Sequence, residues 1–299
     1  YLKETEDALL RRGIPEYNGG GSYWVNQGKI KNTGFEAVVN GYIFQEKNLA
    51  WNSALNFSYM KNEVVDLAGD PFILGEIVAP GLVEQATIIK PGYPIGSIYG
   101  LTFLGFDDLG RNVFEDKDKN GTIDAADNDV IGKAVPDFVF GWNNMLSYKN
   151  WELNVFFNAA FGAEKLNLTR WTTTASSRFF TLRDAYFKGF DKVGPGAEFG
   201  TQKNSSGNLS VGNSTQWLES ADFVKLKNLS IAYTFPKAQT HVADIRLSFS
   251  CQNLLTLTSY KGLDPETSSV NSNSDVNAGM DLGAYPTPRT YTIGARFTF

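Results

Sequence analysis

The 299-residue chain carries a formal charge of only −5, and its 27 Lys and Arg residues are scattered, which excludes a basic nucleic-acid-binding surface. One Cys and one His are too few for an internal disulfide or a Cys/His zinc site. Aromatic residues make up 14% of the chain, yet no stretch approaches ~18 consecutive apolar residues, which excludes a helical membrane protein.

Apolar and polar residues alternate along many segments, which predicts β-strands with one apolar and one polar face. From residue 151 onward, for example, Trp151, Leu153 and Val155 alternate with Glu152 and Asn154. The predicted strands, in chain order, are 1–12, 33–45, 49–65, 84–90, 95–106, 137–148, 151–162, 222–235, 243–257 and 288–299.

The links between these strands alternate strictly between short and long. The short links are 45–48, 91–94, 149–150 and 236–243, and the long links are 13–32, 66–83, 107–136, 163–221 and 258–287. This alternation is typical of an outer-membrane barrel with tight periplasmic turns and long extracellular loops. We therefore predict an all-β fold, a transmembrane antiparallel up-and-down β-barrel in a bacterial outer membrane.

Aromatic residues lie beside the short links, where a membrane interface would place them. The residues in these positions are Trp51, Tyr148, Trp151, Phe235 and Phe299. A soluble β-sandwich also alternates, and the asymmetry of link lengths favours the barrel over it. In the last strand, Tyr291, Ile293 and Phe297 are predicted to face lipid, whereas Thr292 and Arg296 are predicted to face the lumen.

Residues 116–127 match an oxygen-rich calcium loop position by position. The predicted ligands are Asp116, Asp118, Asn120, the carbonyl of Thr122, Asp124 and Asp127. Gly121 supplies the sharp turn, and Asp127 stands where Glu is usual, which makes bidentate ligation less certain. A solvated acidic turn is the alternative, because Asp, Asn and Gly are also ordinary turn residues. We expect a structural Ca²⁺ that stiffens an extracellular loop.

Residues with catalytic side chains have simpler interpretations here. His241 falls in a short link and is predicted to be a periplasmic surface residue, and Cys251 shares strand parity with Phe249 and is predicted to face lipid. Glu152 and Asp244 are interpreted as parts of a hydrated inner wall. No catalytic residue is assigned, and the chain is not expected to be an enzyme.

The longest link, 163–221, is predicted to supply substrate contacts. It contains Trp171, Trp217 and a predicted helix at 178–187, and aromatic platforms suit sugars or peptides, although no individual contact residue can be assigned. The Gly19–Gly21 run lacks the Gly-Lys-Ser/Thr ending of a phosphate loop and is interpreted as a flexible tip.

Five segments, in order, carry a resemblance to a known family. They are 27–36 (QGKIKNTGFE), 94–100 (PIGSIYG), 132–141 (GKAVPDFVFG), 223–233 (FVKLKNLSIAY) and 283–299 (GAYPTPRTYTIGARFTF). These segments are similar to the C-terminal barrel segments of SusC/RagA-type TonB-dependent outer-membrane transporters of Bacteroidetes. The resemblance covers nearly the whole chain.

The resemblance implies a barrel of about 22 strands around an N-terminal plug preceded by a TonB box. The ten predicted strands would be its last ten, without the plug, and because Tyr1 begins within a strand we expect a C-terminal portion of a longer protein. The implied function is active import of oligosaccharides or peptides, with a SusD-like lipoprotein, TonB and a second copy of the transporter as partners. A passive porin or structural barrel and a secreted, calcium-stabilised carbohydrate-active enzyme are the alternatives.

Overall fold

The computed structural model describes residues 1–7, 9–13, 20, 22–26, 28–67, 69, 71–79, 82–174, 181–201, 209–267 and 279–299. Within these ranges the chain is mostly antiparallel β-structure with a few short helices. None of the helices in this part of the chain is long and apolar enough to cross a membrane.

Strands account for most of the described elements. In chain order they are β1 (Leu2–Thr5), β2 (Leu9–Gly13), β3 (Ser22–Asn26), β4 (Lys29–Glu46), β5 (Leu49–Asp66), β6 (Phe72–Ala79), β7 (Leu82–Ile89), β8 (Ser97–Gly100), β9 (Phe103–Phe106), β10 (Asn112–Phe114), β11 (Asp129–Lys133), β12 (Phe138–Tyr148), β13 (Trp151–Phe161), β14 (Glu164–Asn167), β15 (Leu218–Ser220), β16 (Phe223–Phe235), β17 (Asp244–Thr258), β18 (Met280–Asp281) and β19 (Thr290–Thr298). The helices are α1 (Leu168–Thr174), α2 (Arg183–Phe187), α3 (Phe190–Val193) and α4 (Lys237–Thr240), and Ala125–Asp127 forms one 3₁₀ turn.

Eight strands form one antiparallel sheet, here called the wall, in the order β1-β4-β5-β12-β13-β16-β17-β19. Apart from β1, neighbouring wall strands follow one another up and down, as predicted. Short turns at 47–48, 149–150 and 236–243 join the strands at one end, here called the turn rim. The long connections 67–137, 162–222 and 259–289 all leave from the other end, here called the loop rim.

The register places mostly apolar side chains on one face of the wall and mostly polar or small ones on the other, where Met145 and Phe156 are exceptions. Leu55, Trp142 and Phe157 lie side by side on three adjacent strands, and the next row along is Asn56, Gly141 and Asn158. On the apolar face, large side chains are exposed to the surroundings, with Leu55 41% and Trp142 43% accessible. The predicted division of the strands into an apolar face and a polar face is confirmed.

A row of aromatic residues lies at each edge of the apolar face, one near the loop rim and one near the turn rim. Near the loop rim Tyr59 lies 5.2 Å from Phe138, measured between ring centroids, and at the turn rim Trp151 lies 4.7 Å from Tyr233. The ten residue steps from Phe138 to Tyr148 rise ~34 Å along the strand, or ~25 Å along the barrel axis at a tilt of ~40°. This height matches the apolar band of outer-membrane barrels.

A polar pair interrupts the apolar face at Ser53 and Asn144, which lie opposite each other on β5 and β12. Trp142 donates its indole N–H to Ser53 Oγ (3.0 Å), and Trp51 donates to Asn144 Oδ1 (3.1 Å). Each indole thereby satisfies a polar atom that lipid could not, so Asn144 is compatible with this face.

Two predicted strands, 84–90 and 95–106, are not part of the wall, and that prediction was wrong. Their residues instead form a second sheet, β11-β8-β7-β6, and a separate β9-β10 hairpin within the connection 67–137. Consecutive residues such as Ala86, Thr87 and Ile88 are all at most 5% exposed. A strand buried on both faces packs inside a protein layer and cannot separate lipid from lumen. The predicted links 66–83 and 107–136 therefore belong to one connection.

The first predicted strand also divides into two. Only β1 joins the wall, pairing with residues 30–33 of β4, whereas β2 pairs with β3 in a separate hairpin. The β4 strand begins at Lys29, inside the predicted link 13–32, so both β4 and β5 extend beyond the apolar band. Of the Gly19–Gly21 run, only Gly20 lies within the described residues, with φ of +66°.

Candidate functional site

The three long connections are hydrogen-bonded to one another and form a single layer at the loop rim. Leu101 exchanges backbone hydrogen bonds with Asn213 (2.9 Å) and Thr215 (3.0 Å), and the amide of Leu166 donates to the carbonyl of Gly279 (2.8 Å). A core of mutually packed apolar side chains supports this layer. Its buried members are Ala86, Ile98, Leu166, Leu168, Trp171, Ala185, Phe199, Trp217 and Met280.

A cavity of about 640 Å³ lies between the connections 162–222 and 259–289 and is here called the loop cavity. Five of its fourteen described lining residues come from helices α1 and α2. Its lining residues are Asn167, Thr169, Arg170, Thr173, Leu182, Arg183, Asp184, Lys188, Glu198, Phe199, Lys261, Gly262, Leu263 and Asp281. The predicted helix 178–187 is confirmed over 183–187, and residues 178–180 lie outside the described residues.

Arg170 is held at the base of the loop cavity by partners on several sides. Its guanidinium forms ion pairs with Glu198 and with Glu219 (3.2 Å). The same group lies over the rings of Phe199 (4.8 Å to the centroid) and Trp217 (5.9 Å). Charge pairing and cation–π contact together fix this side chain.

Glu198 joins three segments of the layer through its carboxylate. Besides Arg170 it accepts from Lys261 (2.7 Å) and lies 3.4 Å from Lys188, which also contacts Asp184. The hydrogen bond from Lys261 is the largest cause that holds the pKa of Glu198 below its usual range. The carboxylate therefore stays charged and links α1, α2 and the 259–289 connection.

A buried charge cluster pins the 259–289 connection onto wall strand β16. Lys225, only 1% exposed, contacts Asp264 (2.5 Å) and Glu266 (2.8 Å). Asp264 also accepts from the backbone N–H of Thr287 (3.0 Å). Burial works to raise the pKa of Asp264, but the hydrogen bonds from Lys225 and Thr287 outweigh it and keep that pKa well below normal. We call Lys225, Asp264 and Glu266 the loop anchor.

Lys165 on β14 is a second buried cation near the anchor. It is 5% exposed, and its ammonium donates to the carbonyl of Thr267 (2.5 Å). Burial lowers the pKa of Lys165 to about 8. Nearby, Tyr260 donates to Asp281 (2.6 Å), and burial followed by this hydrogen bond raises the pKa of Tyr260 far above its usual value.

The lowered pKa of Lys165 predicts a pH effect on stability. Between pH 8 and 10.5 the unfolded state holds the Lys165 proton more tightly than the folded state, so the free energy of unfolding rises with pH through that window. We expect Lys165→Met to remove this rise, which is at most about 3 kcal/mol. Urea unfolding of both proteins at several pH values measures the difference, and parallel pH curves would contradict the prediction.

The predicted metal loop brings three of its carboxylates together. Oxygen atoms of Asp116, Asp118 and Asp127 lie within 4.8 Å of one another. Gly121 has φ of +84°, a conformation that favours glycine, so the sharp turn is present where the sequence predicts it. The backbone N–H of Asp124, followed by that of Lys117, lowers the pKa of Asp127, which keeps it in the anionic form that a hard cation needs.

Other predicted ligands of this loop have different local roles. The Asp124 carboxylate caps the 3₁₀ turn by accepting from the backbone N–H of Ala126 (2.8 Å), and it lies outside the carboxylate group. The Asn120 side-chain oxygen accepts from the backbone N–H of Thr122 (2.7 Å). Part of the predicted oxygen shell is thus assembled, and Ca²⁺ ligation by the loop stays a prediction.

The remaining single-residue predictions concern the wall and its turns. His241 is exposed in the turn that follows α4, with φ of +60°. Cys251 lies on the apolar face between Leu229 and Tyr291, where its neighbours leave it 2% exposed. Glu152 is on the polar face and pairs with Arg246, as expected for a hydrated wall.

Sequence reasoning missed the loop anchor and the loop cavity. Lys225 and Lys227 alternate in a strand pattern, and Asp264 and Glu266 show the same spacing, so complementary charge was a detectable signal. Their pairing spans about 40 positions, however, and only the fold selects it from many alternatives.

Known proteins share both the sequence and the fold. The chain is 34% identical, over all of its length, to TonB-dependent receptor P3 of Formosa agariphila, covering 32% of that protein. It is 25% identical to TonB-dependent receptor SusC of Bacteroides thetaiotaomicron, covering 29% of it. The resemblance to SusC/RagA-type TonB-dependent transporters is confirmed. The chain spans about a third of the length of these relatives.

Solved structures agree with this assignment. The RagAB peptide transporter superposes on the whole chain with a TM-score of 0.78 at 24% identity, the match covering 32% of that chain. No protein-family model matches the sequence. The predicted fold class, part of an outer-membrane barrel, is confirmed, with eight wall strands among the described residues in place of the ten predicted. The outer-membrane location is confirmed by the relatives that are named TonB-dependent receptors. The sequence relatives are named receptors, and the solved structure is named a transporter.

Proposed function

We propose that the full protein imports nutrients actively across the outer membrane. The observation that carries this proposal is the wall, whose apolar face fits a lipid bilayer, whose opposite face is mostly polar, and whose loop rim carries a layer of hydrogen-bonded loops. A polar inner surface lets a hydrophilic solute pass, while the loop layer can restrict which solutes enter. Relatives named TonB-dependent receptors support energy coupling through TonB.

The proposed substrates are oligosaccharides or peptides, and the proposed partners are a SusD-like lipoprotein, TonB and a second copy of the transporter. Similarity to the receptor SusC and to the RagAB peptide transporter supports this range. Lipid of the outer membrane is the proposed partner of the apolar face.

Uptake by cells that carry or lack the full gene tests the proposal. Labelled oligosaccharide and peptide mixtures should enter only cells with the gene, and entry should stop when the proton gradient is collapsed. Uptake that persists without the gradient would favour the passive porin. Hydrolysis of the same oligosaccharides by the purified protein would instead favour the enzyme.

We also propose that the 116–127 loop binds Ca²⁺ and is stiffened by it. The convergence of three carboxylates and the turn at Gly121 support this proposal. A loop outside the cell meets millimolar calcium, so a dissociation constant of about 10⁻⁴–10⁻³ M would suffice.

Calorimetry on chelator-treated full-length protein measures this binding directly. We expect heat on addition of Ca²⁺ and at least about tenfold weaker binding in Asp118→Asn, because one anionic ligand is lost. Asp118 is the best position to change, since it is exposed and, among the described residues, its carboxylate accepts hydrogen bonds from Asn120. Asp108→Asn, outside the carboxylate group, should bind Ca²⁺ normally. Absence of heat at millimolar Ca²⁺ would refute the site.

A further inference from the structure

The loop cavity has more basic than acidic groups facing solvent. Among the described residues, four basic and three acidic ones line it. Arg170 is already neutralised by Glu198 and Glu219, and Asp281 is only 2% exposed, its carboxylate accepting from Tyr260 and from the amide of Ala284. Neither of these groups presents an unused charge to an entering molecule.

Among the described lining residues that are exposed, cations outnumber anions. Arg183, Lys188 and Lys261 are exposed, against the carboxylates of Asp184 and Glu198. Lys188 and Lys261 form ion pairs with these two carboxylates. Among the described residues, Arg183 forms no ion pair. The Arg183 guanidinium lies over the Phe187 ring, 5.4 Å from its centroid, and keeps its hydrogen-bond donors available.

Apolar groups lie beside these cations. Leu182 and Leu263 line the cavity while being 40% and 70% exposed, so each leaves apolar surface for a ligand to cover. Within the part of the cavity lining that the structure describes, the aromatic residue is Phe199, which is 2% exposed and lies under the Arg170 guanidinium. Its ring is therefore closed to the stacking by which aromatic platforms hold neutral sugars.

We propose that the loop cavity binds a carboxylate group of the transported solute, with Arg183 as its main partner and Lys261 as a second cation. A guanidinium can grip a carboxylate through two parallel hydrogen bonds, which gives both affinity and orientation. The adjacent leucines accept an apolar group next to the carboxylate. This inference rests on the proposed import function and narrows its substrates to acidic molecules, either acidic peptides or uronic-acid oligosaccharides.

Binding of model ligands to the purified full-length protein shows whether the carboxylate comes from a peptide or from an oligosaccharide. Two matched pairs serve as probes: an amidated tetrapeptide with one Asp against its Asn counterpart, and a trigalacturonate against a neutral galactose trisaccharide. In one of the two pairs, we expect the acidic member to bind at least about tenfold more tightly than its neutral partner. The pair that shows the preference identifies the source of the carboxylate.

Variants of Arg183 test the assignment. Arg183→Gln should reduce the acidic preference to about threefold or less, and Arg183→Glu should reverse it in favour of a Lys-containing tetrapeptide. A reversal cannot come from misfolding. Lys47→Gln, with the same charge change at the turn rim, should leave the preference unchanged.

Two results would overturn the inference: equal binding of both members in both pairs, or an acidic preference that survives Arg183→Glu. These binding measurements do not depend on the proton gradient. Failure of gradient-driven uptake in cells would instead count against the proposed import function, so the two failures are distinguishable.

Discussion

Replacing Lys225 by methionine is expected to lower the free energy of unfolding of the full-length protein by about 3–5 kcal/mol. The Lys225 side chain is 1% exposed and that of Asp264 is 5% exposed, so removing the cation leaves a carboxylate buried without its partner. Methionine keeps most of the aliphatic stem, which confines the change to the charge. The loss should appear first in the 259–289 connection, because the anchor holds that segment onto β16.

Lys227 provides a matched control on the same strand. It contacts the same Glu266 at 2.6 Å, but its side chain is 23% exposed and water can replace it. Lys227→Met is therefore expected to cost under about 1 kcal/mol. Urea unfolding gives the two free energies, and hydrogen exchange over residues 259–267 shows where protection is lost. Equal effects of the two substitutions would show that burial of the anchor contributes nothing.

The anchor also bears on the loop cavity. Asp264 and Glu266 follow Lys261 by only a few residues, and Lys261 pairs with Glu198 across the cavity. Releasing the anchor should therefore weaken any contact that depends on Lys261 while leaving Arg183 on α2 in place.

The sequence predicts the wall well because a wall strand separates two different solvents. Lipid on one side and polar surroundings on the other impose strict alternation, and segments such as 151–162 show it plainly. The prediction that residues 84–90 form a wall strand was wrong because this segment does not separate two solvents. Inside the loop layer both strand faces meet protein, so Ala86 and Thr87 are equally buried and the pattern carries no direction.

The candidate sites divide in a similar way. The metal loop is local in sequence, and its turn at Gly121 and three converging carboxylates appear where the motif predicts them. The loop cavity joins Arg170, Glu198 and Lys261, which come from distant segments. No local sequence pattern predicts the contacts among these residues, because the contacts depend on how the 162–222 and 259–289 connections pack.

Placing arginine at Leu55 is expected to cost about 2–4 kcal/mol, the second large effect. Leu55 lies near mid-height of the apolar face, in a row with Val39 and Trp142, and is 41% exposed on that face. A guanidinium there would meet hydrocarbon, which offers no hydrogen bonds and solvates charge poorly.

Asn56→Arg is the matched control, one residue along the same strand. The neighbouring side chain points to the opposite face, beside Gly141, where the surroundings are polar. Arginine at this position should change the free energy of unfolding by less than about 1 kcal/mol, because its head group stays hydrated. Folding of both full-length variants into lipid vesicles, followed by urea unfolding, measures the difference. If Asn56→Arg were the costlier change, the outward face of the wall would have to be the polar one, and the membrane placement of the chain would be reversed.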